Sequence, residues 1–215
     1  MMIPMRRCAV AALVGLAVAA CGPSPVEQGA NPTGALALQF APLSGPSLAP
    51  PADEIVLELT GLHDTTIVGL PGDTVQIVDL EPGEYQLKVQ GLLDPFIVWS
   101  ASRRVVVLPG TLSEPMIEPV PFEVSDFATT STPPLTGGAS LDLTWTGVAT
   151  AQDYRIAWFS RADFVVLLGD TVVTGTSASV DLGVTGTYYV RVAPRDSTGM
   201  LGFPVALPDS VDVTN

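Results

Sequence analysis

His63 and Asp64 are the one adjacent His–carboxylate pair in the sequence. A Ser-His-acid hydrolase needs its imidazole held between a nucleophile and a carboxylate. Gly61-Leu-His-Asp-Thr-Thr66 reads instead as a polar turn between strands, and no G-x-S-x-G elbow occurs. Paired carboxylates can cleave glycosides, yet the 22 acidic residues are scattered about one per strand or turn, as on the solvated faces of a sandwich. A calcium loop needs several oxygens from one or a few converging loops, and Asp53-Glu54 or Asp209 with Asp212 is too sparse. There is no phosphate-binding Gly loop. One His and two Cys, Cys8 and Cys21, leave almost no material for a metal or thiol site. No catalytic residue, metal ligand or cofactor is assigned, and the chain is expected not to be an enzyme. The residues left with chemistry to offer are Cys21 and two closely spaced aromatics, Phe159 and Phe164.

The composition sets what must position them. The chain has 215 residues, a formal net charge of −13, and only 14% charged residues. Hydrophobic residues make up 47%, alongside 20 Gly and 20 Pro. Disorder requires low hydrophobicity and high charge density, so this balance predicts a folded, turn-rich, mostly β chain. An acidic chain repels phosphate backbones, which excludes nucleic acid as an expected partner.

Residues 1–20 carry Arg6 and Arg7 followed by an apolar run of 13 residues, Cys8 to Ala20. A spanning helix needs about 20 residues, so the run has the length of a signal-peptide core. Val18-Ala19-Ala20-Cys21 resembles the lipobox of bacterial lipoproteins, with Val in place of the commoner Leu. The resemblance implies cleavage before Cys21 and lipidation of its thiol. Two or three acyl chains, at about 0.8 kcal/mol per buried methylene, anchor durably where one does not. Gly22 rather than Asp after Cys21 favours the outer membrane over the inner one. Cleavage also removes Arg6, Arg7 and Cys8, leaving 22 acidic residues against 7 basic ones, a net −15, and no thiol for an internal disulfide. Residues 21–32 then read as a flexible tether.

From Thr33 the pattern alternates with period two: Leu36, Leu38 and Phe40, then Ile55, Leu57 and Leu59, then Val75 to Val78, then Tyr85, Leu87 and Val89. Phe96–Trp99 and Val105–Leu108 complete about seven short strands, separated by Pro-Gly and Gly-Asp turns. Leu80-Glu-Pro-Gly-Glu-Tyr85-Gln-Leu87-Lys-Val89 resembles a segment of prealbumin-like and carboxypeptidase-regulatory-like modules, which implies a β-sandwich over 33–119. The prolines at 119 and 121 mark the expected boundary.

In residues 120–215, strands are expected over Phe122–Phe127, Leu141–Trp145 and Tyr154–Trp158, then a hairpin turning at Gly169-Asp170, then Tyr188–Val192 and a last strand over Phe203–Val213. Leu141-x-Leu-x-Trp145, Tyr154-x-Ile156 and Leu182-x-x-x-Gly186-Thr-Tyr188-x-Val190-x-Val192 together resemble a fibronectin type III domain. That resemblance implies that Tyr188 is the buried tyrosine of the corner. Trp145, Trp158 and Tyr188 are assigned to the core. If Tyr154, Ile156 and Trp158 point inward, Phe159 points out, close to Phe164. An exposed aromatic pair suits a protein partner or a sugar ring; folding over a strand edge, or burial against the first block, are the other placements.

The fold class expected is therefore all-β, two tandem immunoglobulin-like β-sandwiches after a signal peptide and tether. The function expected is a lipid-anchored binding or adhesion module of the bacterial cell envelope, with an unidentified protein or glycan partner and a membrane reached through the lipid. The alternative is a structural spacer in a periplasmic or outer-membrane assembly. Fold alone does not choose between them.

Overall fold

Burial alternates along most of the longer strands of the computed structural model, which describes residues 32–43, 45–48 and 50–215. The signal-peptide assignment and Cys21 lie outside the described residues. Among the described residues there is no helix, and the chain is an all-β protein of open, layered sheets.

The first set of strands is β1 (Gly34–Ala37), β2 (Gln39–Phe40), β3 (Glu54–Thr60), β4 (Thr65–Gly69), β5 (Gln76–Leu80), β6 (Gly83–Leu93), β7 (Phe96–Val107), β8 (Leu112–Ser113), β9 (Met116–Ile117) and β10 (Val120–Pro121). They form a sheet β5-β1-β8 and a sheet β10-β7-β6-β3-β4, with β2 and β9 paired apart. Ile55, Leu57 and Leu59 on β3 and Tyr85, Leu87 and Val89 on β6 share one face, because side chains two apart on a strand point the same way. They fill a core with Leu36, Ile77 and Val107.

The second set is β11 (Ser125–Thr129), β12 (Leu135–Thr136), β13 (Ser140–Thr146), β14 (Asp153–Phe159), β15 (Leu167–Val173), β16 (Ser177–Asp181), β17 (Gly186–Arg195), β18 (Val205–Ala206) and β19 (Val211–Thr214). One sheet runs β11-β13-β16; the other runs β12-β19-β17-β14-β15, with β18 beside β17. Leu141, Leu143 and Trp145 face Tyr154, Ile156, Tyr188, Val190 and Val192 across the sandwich. This strand order is that of a fibronectin type III or immunoglobulin-like module. The first set repeats its plan: β1 pairs antiparallel with β5 as β13 does with β16, and β4-β3-β6-β7 corresponds to β15-β14-β17-β19.

Several sequence expectations change. Gly169-Asp170 is not a turn: β15 runs straight through it, and the Trp158 indole lies where a Gly169 side chain would be. The glycine is a seat for a cross-strand ring, as Gly91 is for Trp99. Phe96–Trp99 and Val105–Val107 belong to one long strand, β7, whose polar middle from Ser102 to Arg104 is exposed and which ends before Leu108. The strand expected over Phe122–Phe127 starts later, as β11, and the one over Phe203–Val213 is two, β18 and β19. Thr65–Gly69 forms an unanticipated edge strand. Val120 and Pro121, within the expected Pro119–Pro121 boundary, pair with Ser100 and Trp99 of the first set.

Candidate functional site

The outer face of the β17-β14-β15 sheet follows from its register. Phe159 stands between Tyr189 and Leu167, Ala157 between Arg191 and Asp170, and Arg155 between Ala193 and Val172. Tyr154, Ile156 and the partly buried Trp158 turn into the core, so Phe159 does lie on the opposite face, as the alternation requires. It is not exposed there. Only 4% of its surface is accessible, because Phe164 packs edge-to-face on it at 5.4 Å and the Arg191 guanidinium lies 4.7 Å from its ring centre. Of the placements left open by the sequence, the exposed pair is not the one found: a buried ring lies under a half-buried one.

Phe164 is held in place by its loop. Its N–H donates to the Arg161 carbonyl, and Ser160 N–H closes the loop on the Val166 carbonyl. The backbone at Phe164 is left-handed, with φ of 56°. A bulky residue in that region is strained by about 1–3 kcal/mol, and such strain clusters at functional sites. The loop keeps Phe164 over both Phe159 and Arg191, 5.4 Å from the latter's guanidinium.

Arg191 and Arg155 put positive charge on this face of an acidic chain. Arg155 Nε donates to Asp170 Oδ2 at 2.7 Å, which neutralises it. Arg191 stacks on two rings and, among the described residues, forms no ion pair. Burial, and then the neighbouring Arg155 charge, push its pKa down from the usual arginine value; it stays protonated. Ala157 and Ala193 floor a hollow of about 90 Å³, walled by Phe159, Leu167 and, from the first set of strands, Phe96. Val165 to Leu168 form an exposed apolar ledge beside it.

A second cluster joins the two cores. Among the described residues the buried polar or charged side chains are Gln90, Ser100 and Asp196, and all three lie here. Asp196 Oδ2 accepts from Lys88 Nζ at 3.2 Å and Gln90 Nε2 at 3.3 Å; its Oδ1 accepts from Thr198 Oγ1 and the N–H groups of Thr198 and Met200. Burial raises the Asp196 pKa, but the hydrogen bonds from Thr198, Gln90, Lys88 and Met200 outweigh it and hold the carboxyl below the usual range. Ser100 and Thr150 share a hydroxyl hydrogen bond, and Ile97 N–H donates to the Leu201 carbonyl while Phe203 N–H donates back to Ile97.

His63 is an exposed loop residue, 3.2 Å from Glu81, and Asp64 accepts the Gly61 N–H to close its turn. Among the described residues, the contacts of that pair are with Glu81 and the Gly61 N–H, not with a nucleophile. Among the described residues no three His, Cys, Asp or Glu are grouped to hold a metal ion. Tyr188 donates its hydroxyl to the Val184 carbonyl at 2.6 Å, the corner the resemblance implies, and Tyr85 makes the same bond to Glu81 at 2.9 Å in the first set. Sequence reading missed that second corner, the Asp196 cluster and Arg191. For Arg191 a signal existed: in Tyr188-Tyr-Val190-Arg-Val192 it alternates outward, as Phe159 does on its own strand.

No protein-family model matches the chain, and no curated protein matches it. Solved structures similar to it include the FN1–FN3 domains of chicken CNTN1, at 13% identity and TM-score 0.36, covering 76% of this chain and 57% of that one. A DUF3823 family protein from Bacteroides ovatus is similar at 12% identity and TM-score 0.37, covering 84% and 99%. A two-domain fibronectin type III segment of chicken tenascin is similar at 13% identity and TM-score 0.35, covering 77% and 86%. At these scores the fold assignment rests on the strand order and the tyrosine corners.

Proposed function

We propose that the chain is a non-catalytic binding module held at the bacterial cell envelope by a lipid on Cys21, with a prealbumin-like sandwich followed by a fibronectin type III-like one. The observation that carries the binding half is Arg191, a desolvated cation stacked on Phe159 and Phe164 with no carboxylate partner among the described residues. A charge kept this way is available to a ligand, and the strained Phe164 keeps it in place. The anchoring half is supported by Val18-Ala19-Ala20-Cys21 after two arginines and an apolar run. Gly22 favours the outer membrane.

A spacer role in an envelope assembly is the second reading. It is favoured by the backbone pairing of Ile97 with Leu201 and Phe203, which ties the two cores together as a folded domain is tied within itself.

Protease added to intact cells, to lysed cells and to cells carrying Cys21→Ser tests the anchored reading. Membrane retention of the wild type and release of Cys21→Ser into the soluble fraction are expected; unchanged retention of the variant overturns it. Digestion on intact cells favours capture of external partners, and protection until lysis favours the spacer.

A further inference from the structure

The hollow on the β17-β14-β15 face has chemistry specific enough to name its occupant's class. Its volume of about 90 Å³ is below the roughly 150 Å³ of an enclosed cavity that admits a benzene ring, which matches a side-chain tip. Its floor is two alanines and its wall is aromatic, which suits methylenes. Among the described residues, the charge at its rim without a carboxylate partner is Arg191, since Arg155 is already matched by Asp170. A planar guanidinium held against rings is pre-organised for a carboxylate and loses little entropy on binding one. The adjoining ledge, with Val165 73% and Leu168 50% exposed, offers apolar contact on a chain whose other charges are mostly negative.

We infer that this face docks an acidic polypeptide segment, one carboxylate-tipped side chain entering the hollow to meet Arg191 while a neighbouring apolar residue covers the Val165–Leu168 ledge. This ligand class rests on the reading of the face as a binding site. Charge complementarity selects the partner: a basic segment meets the uncompensated Arg191 charge head-on, and an uncharged one leaves Arg191 desolvated without compensation.

The test is a fluorescence-anisotropy titration of the full chain with a dye-labelled acetyl-Val-Glu-Val-Glu-Val-amide peptide. Its Gln-for-Glu and Lys-for-Glu counterparts and a galacturonic acid oligosaccharide are titrated alongside. The acidic peptide is expected to bind, to weaken on adding salt, and to weaken about tenfold both in its Gln form and against Arg191→Ala. Because the peptide swap leaves the protein untouched, it reads the charge even if Arg191→Ala unfolds. Equal binding of the Glu and Lys peptides overturns the inference. So does oligosaccharide binding lost in Arg191→Ala with no peptide binding, an outcome that keeps the binding face and changes the ligand class. Binding of no probe removes both, and a peptide-independent dimer lost in Arg191→Ala assigns the face to a second copy.

Discussion

Lys88 Nζ lies 3.2 Å from Asp196 Oδ2, so the single lysine of the sequence, on a strand of the first core, is matched to a buried carboxylate at the corner of the second. The pair is a positional device more than a source of stability. Replacing such a pair with well-packed apolar residues is often neutral, whereas removing one partner strands the other. Asp196→Ala removes an acceptor used by five donors and is expected to destabilise by about 3 kcal/mol. Lys88 is partly exposed, and Lys88→Met leaves Asp196 with its other donors, so about 1 kcal/mol is expected. Urea unfolding of the two variants checks the order, which reverses if Lys88 rather than the loop N–H groups holds the carboxylate.

The same carboxylate makes stability depend on acid. The folded pKa of Asp196 lies below its ordinary 3.8, so the folded state binds fewer protons than the unfolded one. Its contribution is fully present above the ordinary value and is lost as the pH falls through the folded pKa. Asp153 shifts in the same direction, first through its hydrogen bonds from Arg195 and despite burial. The stability gap between the wild type and Asp196→Asn is expected to be constant near neutral pH and to shrink below about pH 4. Denaturant midpoints measured across that range check it; a gap that widens on acidification contradicts the assignment.

Tyr85 and Tyr188 close equivalent corners, each donating its hydroxyl to the carbonyl four residues before it. Both rings are buried, and burial, followed by the Glu81 charge, raises the Tyr85 pKa. Tyr85→Phe and Tyr188→Phe keep the rings and lose the bonds, so about 1 kcal/mol of destabilisation is expected from each. The two sites share no partner, so the double variant should show the sum. Thermal unfolding of the three variants checks additivity, and a shortfall means that one corner relaxes when the other is lost.

Gly202 lies at the junction of the two cores, bridged to Ile97 of the first. A side chain there would overlap the Phe122 carbonyl and the Pro194 ring, and its N–H donates to the Pro194 carbonyl. Gly202→Ala is expected to destabilise by about 2 kcal/mol through overpacking. The faster amide exchange should concentrate at Ile97 and Phe203, whose hydrogen bonds span this point. Hydrogen exchange resolved by residue checks it. Exchange raised uniformly over both cores would mean that the junction is not a separate unit.

Period-two alternation made the strand content, the core of Leu141, Leu143, Ile156 and Val190, and the Tyr188 corner legible in the sequence. It assigned Phe159 to the correct face as well, and left open whether that face is exposed or covered. The cover comes from Phe164, through a loop, and from Arg191, 32 positions further on. No local pattern carries contacts of that span. Gly169 was misread because glycine breaks a strand and also seats a cross-strand indole, and the sequence reads alike in both cases. Asp196 was hidden for a related reason. Pro194-Arg-Asp-Ser-Thr-Gly199 is a turn by composition, but its carboxylate is committed by Lys88 and Gln90, more than a hundred residues earlier.

Phe164 offers a measurement of stored strain. In an ordinary loop, replacing a residue by Gly costs more than replacing it by Ala, because Gly frees the unfolded chain. At φ of 56° the comparison inverts, since Gly adopts that conformation without a steric penalty and Ala does not. Phe164→Ala and Phe164→Gly both lose the ring contacts with Phe159 and Arg191. The Gly variant is nevertheless expected to be the more stable of the two, by about 1 kcal/mol. Guanidinium unfolding of the pair isolates the backbone contribution, because the lost side chain is nearly common to both. If Ala proves as stable as Gly, the loop relaxes once the ring is gone, and it is the ring packing that holds the backbone in its strained form. If Gly wins, the loop itself holds Phe164 over Arg191, which is what a pre-organised binding face requires.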